Sequence, residues 1–231
     1  MSRKPALTIY EQELNDLWEE HLRTEFNAHS ADEAIATMVE NPLVNQVPVM
    51  IGGDGKDELH EFYAKYFLPQ IPPDTEMIPV SRTIGQGRVV EEMVFRFTHT
   101  LPMDWMLPGI APPGKPVEIA MVVVVQFDGD KLAREHLYWD QASVLVQLGL
   151  LQSAGLPVVG AEAARSVLDR SIPLNDLIRR AKSTSRKTLR SRNGKGTRAT
   201  HADKMAGAEL LGAFAAWQHN LVIYGPDAVR I

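Results

Sequence analysis

The stretch Arg134-Glu135-His136-Leu137-Tyr138-Trp139-Asp140-Gln141 is the densest cluster of polar and aromatic side chains that reads as a strand. Strand alternation places Arg134, His136, Tyr138 and Asp140 on one face and Glu135, Leu137 and Trp139 on the other. If the first face is concave, a carboxylate and an imidazole share an aromatic-lined hollow. Loss of water there raises a carboxyl pKa toward neutrality and makes the group a usable proton donor or acceptor. Asp140 also leads directly into Val144, Leu145 and Leu148 at helical spacing, where an aspartate can instead cap the following helix. His136 can equally be a partly exposed strand histidine.

A second cluster, Phe95-Arg96-Phe97-Thr98-His99-Thr100, puts Phe95, Phe97 and His99 on one face. His99 could polarise a substrate oxygen at a pocket mouth, or simply hydrogen-bond a loop carbonyl. Arg96, on the other face with Glu92 and Val94, reads as a cross-strand ion partner. Between the two clusters, Met103 to Gly114 is too apolar to lie in water, so it is expected to cover the cavity as a lid or to pack against a neighbour.

The elements that must position these residues are legible from periodicity. Leu14, Leu17, Trp18, Leu22 and Phe26 recur at helical spacing. Ser30-Ala31-Asp32-Glu33 fits a capping box for a second helix running through Met38 and stopped by Pro42. Val44 to Ile51 reads as a short edge strand interrupted by Pro48, and 52–55 as a turn. Leu59, Phe62, Tyr63, Tyr66 and Phe67 restore a helical stripe. Strands are then expected at Glu76 to Ile84, Arg88 to Leu101, Val117 to Phe127 and Lys131 to Ala142, with turns at 85–87 and 128–130. The third of these is apolar on both faces, as if one face met helices and the other a partner. Helices followed by an antiparallel meander make an α+β domain.

Composition bounds the rest. The 231 residues are 45% hydrophobic and 23% charged, with seven histidines and no cysteine, which rules out disulfides and thiolate chemistry. The longest apolar run, Ile119 to Val125, is far shorter than the roughly 20 residues a membrane span needs. Neither a secretory leader nor a phosphate-binding, zinc or serine-triad motif is present, so a cytoplasmic protein without membrane, nucleic-acid, metal or cofactor partners is expected. The net charge of -5 conceals nine basic residues and no acidic one between Arg179 and Arg198. The domain is expected to end near residue 152. Residues 153–231 then form an extension with a basic, mobile stretch over 182–200 and a helix over 205–220, able to dock on the body or another subunit.

The segments Phe97-Thr98-His99-Thr100, Met103 to Gly109, Pro113-Gly114-Lys115 and Glu135 to Gly149 resemble the SnoaL-like branch of the NTF2-like superfamily, relatives of polyketide cyclases, across roughly residues 10 to 151. The resemblance implies a cone: a bent antiparallel sheet wrapped around N-terminal helices, with an internal pocket and frequent dimerisation. It further implies a cofactor-independent acid/base enzyme for a small apolar carbonyl compound, with Asp140 as acid/base and His99 and His136 as helpers. Tyr138, Phe95, Phe97, Trp105, Tyr63 and Trp18 would line the pocket. A non-catalytic ligand-binding or assembly domain is the alternative, since one fold serves many activities.

Overall fold

In the computed structural model, which describes residues 7–183, the first helix, α1 (Ile9–Arg23), starts at a complete capping box. Thr8 Oγ1 accepts from Glu11 N at 3.2 Å, and Thr8 N donates to Glu11 Oε2 at 2.8 Å. The helix widens into a π-turn over Thr24–Ala28 and ends at His29, which is left-handed at φ 49°. A short α2 (Ala31–Ala36) follows, capped by Ser30. A third helix, α3 (Lys56–Glu61), likewise widens into a π-turn over Phe62–Phe67.

Six strands form one open sheet: β1 (Met38–Gln46), β2 (Ile51–Asp54), β3 (Glu76–Gly85), β4 (Arg88–Thr98), β5 (Pro116–Asp128) and β6 (Lys131–Trp139), in the order β2-β1-β6-β5-β4-β3. Only β1 and β6 run parallel; the other neighbours are antiparallel. The expected α+β class holds, with a mixed sheet in place of a purely antiparallel one. Val44, Val89, Met93, Phe95, Ile119, Met121, Val123 and Leu137 form one buried face, and α1 and α3 supply the helical side of the same core through Leu14, Trp18, Leu59 and Tyr63. Helices α4 (Gln141–Leu148) and α5 (Glu162–Leu168) pack against β5, where Arg165 pairs with Glu118 at 2.6 Å. Ser143 Oγ also donates to the Gly160 carbonyl at 2.9 Å. The compact unit thus runs to Leu174. A second unit begins at Asn175, and its described residues 176–183 are helical; the basic stretch beyond 183 and the 205–220 helix lie outside the described residues.

Two expectations change here. The strand begins at Met38, four residues before Pro42, and is flanked on both sides rather than lying at an edge. Proline is tolerated because pairing with β6 shifts register between Met38 and Leu43, so no ladder donor is required there, while the Pro42 carbonyl accepts from Gly55 N at 2.8 Å. The glycines at 52 and 53 pair with β1 instead of turning, and the turn falls at residues 47–50. A Cβ at Gly52 would collide with the Val44 carbonyl, so only glycine lets the two strands approach beside the cavity-lining Val44. Gly52→Ala should therefore cost at least ~2 kcal/mol in a denaturant titration. Gly85→Ala, where an added Cβ meets nothing within 4 Å, should stay within about 0.5 kcal/mol of wild type.

Candidate active site

Three ionisable side chains meet in the core, two of them one helical turn apart and the third more than a hundred residues away. His21 is fully buried, and Glu25 and Glu135 are 3% exposed. His21 Nε2 lies 3.2 Å from Glu25 Oε1, 3.8 Å from Glu135 Oε2 and 3.4 Å from the Tyr63 hydroxyl. Helical geometry sets the first pair, because residues four apart on α1 and its π-turn share a face. Glu135 comes from the inward face of β6, together with Leu137 and Trp139. Trp18 stacks on the imidazole at 5.8 Å and 21°, and Tyr63 meets it edge-on at 6.3 Å.

The hydrogen-bond geometry fixes the imidazole tautomer. Thr37 Oγ1 lies 2.6 Å from the Ala34 carbonyl, which can only accept, so the single hydroxyl hydrogen goes there. The 2.6 Å contact between Thr37 Oγ1 and His21 Nδ1 must then use a hydrogen on Nδ1. Nε2 consequently faces both carboxylates, and a proton has to sit among the three groups to hold them together.

Burial pushes the Glu135 carboxyl up to about 8, the Glu25 charge adds to the rise, and His21 pulls against it. For His21 burial opposes the charged form, but the carboxylates of Glu25 and Glu135 outweigh it and raise its pKa above the ordinary histidine range. Both shifts have one direction: His21 and Glu135 keep their protons to higher pH than the free side chains do. Burial first, then the two carboxylates, keep Tyr63 un-ionised well above the usual phenol range. The three groups also present ligand atoms within 4.8 Å of one another and so could hold a metal ion; brought together from two elements, they carry no spacing that a sequence motif would show.

Glu25 and Glu135 open into a cavity whose other lining residues include Trp18, Phe26, Gln46, Phe62, Tyr63, Phe67, Met77, Met93, Phe95, Trp105 and Met121. It holds about 490 Å³ of unfilled space, mouth included, most of it in crevices narrower than a water. One or two waters fit as it stands, and a larger guest must displace side chains. Three of these, Met77, Met93 and Met121, are the flexible thioethers best suited to yield. The loop 103–107 closes one wall from within the same chain. Met103, Trp105, Met106 and Leu107 are at most 1% exposed, and Trp105 meets Phe67 at 5.3 Å. Gln70 clamps the loop, its Nε2 donating to Asp104 Oδ2 at 2.9 Å, while Gln141 Nε2 donates to the Met106 carbonyl at 2.9 Å.

Of the residues expected at the site, Trp18, Tyr63, Phe95 and Trp105 line the cavity. Phe97 is buried in the core but does not line it, and Tyr138 is 43% exposed. The structure corrects the placement of Asp140. That residue is exposed and caps α4, accepting from Ala142 N at 2.9 Å and Ser143 N at 3.3 Å. His136, half-buried, lies on the same outward face, edge-on to Tyr138 at 6.4 Å. The reason is hydrophobic: Leu137 and Trp139 bury more apolar area than the opposite face can, so they turn inward and carry Glu135 with them. His99 is buried, with both ring nitrogens unpartnered and its basicity lowered by burial, but it is not among the cavity's lining residues. Sequence reading passed over His21, Glu25 and Glu135. A signal existed, because Leu14, Trp18, His21 and Glu25 fall within one narrow stripe of the helix, placing two ionisable groups at the centre of its apolar face.

Asp140→Ala should cost about 1 kcal/mol of stability, the worth of an N-cap, and leave ligand entry to the cavity unchanged in a binding titration. Glu135 gives a different signature. Its folded pKa of about 8 exceeds the unfolded carboxyl value of 4.5, so its stabilising contribution is complete below pH 4.5 and is lost as pH rises through about 8. Gln cannot ionise, so the melting temperature of Glu135→Gln relative to wild type should climb across that window; a constant difference would contradict the buried, protonated carboxyl.

No protein-family model and no curated protein matches the sequence. Solved structures of like arrangement include a putative SnoaL-like polyketide cyclase from Jannaschia sp. CCS1, with 15% identity, 64% of this chain and 100% of that chain covered, and a TM-score of 0.49. TsrD from Streptomyces laurentii shows 14% identity over 63% of this chain and 100% of its own, with a TM-score of 0.48. A putative ketosteroid isomerase from Kribbella flavida shows 12% identity over 56% and 79%, with a TM-score of 0.40. In structure the chain is similar to NTF2-like proteins, a SnoaL-like polyketide cyclase among them.

Proposed function

We propose that the chain is an acid/base enzyme of the isomerase or cyclase kind, needing no cofactor and acting on a small, largely apolar carbonyl compound in the cavity. One observation carries this: the Glu135 carboxyl has a pKa of about 8, an oxygen without a hydrogen-bond partner, and an aromatic and thioether surrounding. A general base works best when its pKa lies near the working pH, and burial has moved Glu135 there. In its ionised form Glu135 takes a proton from the carbon next to the carbonyl. The C–H electron pair becomes the C=C bond of an enolate as the carbonyl π pair moves to oxygen. The protonated Glu135 then returns the proton to the same or a conjugated carbon, or the enolate carbon closes on a second carbonyl, whose π pair moves to its oxygen and takes the proton back from Glu135, with no net oxidation. The His21–Glu25 pair holds the charge of the site constant while Glu135 cycles.

Exchange of carbonyl-adjacent hydrogen for deuterium reads this step without knowledge of the natural substrate. Wild-type protein in D2O should exchange those hydrogens in small cyclic and aryl ketones, followed by NMR, with a rate that rises with pH and levels above about 8. Glu135→Gln should lose roughly 10²–10⁴-fold of that rate, with chelator making no difference. Exchange that is equally fast in Glu135→Gln, or absent from ketones shown to occupy the cavity, would reject the reading in favour of a binding domain.

A further inference from the structure

Gln46 is the one uncharged amide among the cavity-lining residues. It is 1% exposed, and its Oε1 has no hydrogen-bond partner. Buried polar atoms in folded proteins are almost always satisfied, so an orphan facing a cavity is a group that takes its partner from whatever occupies the cavity. Its position strengthens the point. Val44 pairs with Glu135 and Gln46 with Leu137 across the parallel β1–β6 ladder, so Gln46 and Glu135 sit one diagonal step apart on the same inward face. A single small molecule can touch both. Apart from Glu25 and Glu135, the lining around them is apolar or aromatic, with the Trp18 indole already engaged to Glu91 at 2.6 Å.

We infer that Gln46 is the positioning residue that holds the reacting oxygen of the substrate while Glu135 addresses the neighbouring carbon. This rests on the acid/base reading of the cavity and deepens it by specifying the substrate: a neutral, flat or compact apolar molecule with one carbonyl or hydroxyl oxygen within reach of a carbon acid. A carboxamide suits the task because it has two sides. Nε2 donates to the oxygen as carbonyl or enolate, and Oε1 accepts from the same oxygen as enol, so the contact survives each stage of enolisation. An anionic substrate is disfavoured, since Glu135 in the ionised form that takes the proton stands one diagonal step from the amide.

The test uses p-cresol and p-xylene, which share shape and differ by hydroxyl against methyl, titrated into the protein by ligand-observed NMR. Wild type should prefer p-cresol by roughly tenfold, and Gln46→Met should reduce the preference to about twofold or less while binding p-xylene at least as well. The melting temperature of Gln46→Met should hold or rise, because the orphan oxygen is gone. If the preference persists in Gln46→Met and vanishes instead in Glu135→Gln, Glu135 holds the oxygen; the inference falls and the acid/base reading stands. If neither probe enters the cavity, the inference falls, while the acid/base reading stands or falls by the deuterium exchange. If Gln46→Met loses stability and p-xylene affinity together, Gln46 is structural and the inference is overturned.

Discussion

The arrangement depends on a charge balance: an imidazole nitrogen faces two carboxylates in an interior that offers no bulk water to screen them. Three ionised groups of this kind would leave an excess negative charge whose desolvation costs several kcal/mol per ion. Protons resolve the conflict. One on His21 Nε2 satisfies Glu25, and a second, retained by Glu135 up to about pH 8, removes the other charge. The Thr37 hydroxyl makes this solution unique, because it takes the Nδ1 hydrogen and forces Nε2 toward the acids. A site balanced by protons exchanges them readily, and the chemistry proposed for it follows from the way it is held neutral.

The elements around the triad meet this one requirement. Both helices that reach the cavity end in π-turns, Thr24–Ala28 and Phe62–Phe67, and these carry Glu25 and Phe26 from one side and Phe62, Tyr63 and Phe67 from the other. A π-turn inserts a residue into the helical ladder and redirects side chains, a device found often at functional positions. The sheet supplies the opposite wall and the third ionisable group.

Much of this was legible in the sequence. Helical stripes, the four-strand meander and the apolar loop at 103–107 followed from periodicity, and four of the six expected lining residues, Trp18, Tyr63, Phe95 and Trp105, do line the cavity. The face of β6 did not follow, because the polar side Arg134, His136, Tyr138 and Asp140 drew attention as chemistry, whereas burial follows apolar area and selected Glu135, Leu137 and Trp139. The parallel pairing of β1 with β6 could not be read either: it joins residues about ninety positions apart, and no local pattern encodes it. The triad escaped for the same reason, with Glu135 meeting α1 only through that topology.

Two buried glutamates on the inner face of the sheet show how structural and chemical roles separate. Glu91 is saturated: Arg82 donates to both its oxygens at 2.8 and 2.9 Å, and Trp18 donates to Oε2 at 2.6 Å. Such a carboxylate is locked, and its task is to hold Trp18 against His21. Glu135 has no such clamp, and one of its oxygens has no partner. An apolar residue at 135 would spare the cost of burying a carboxyl with an oxygen that no group satisfies. Fold stability therefore gives no reason for a carboxyl at this position, nor for the orphan carboxamide one diagonal step away. What the pair offers instead is two unpartnered oxygens side by side on one wall of a hollow, one of a carboxyl and one of a carboxamide, free to bond whatever enters it.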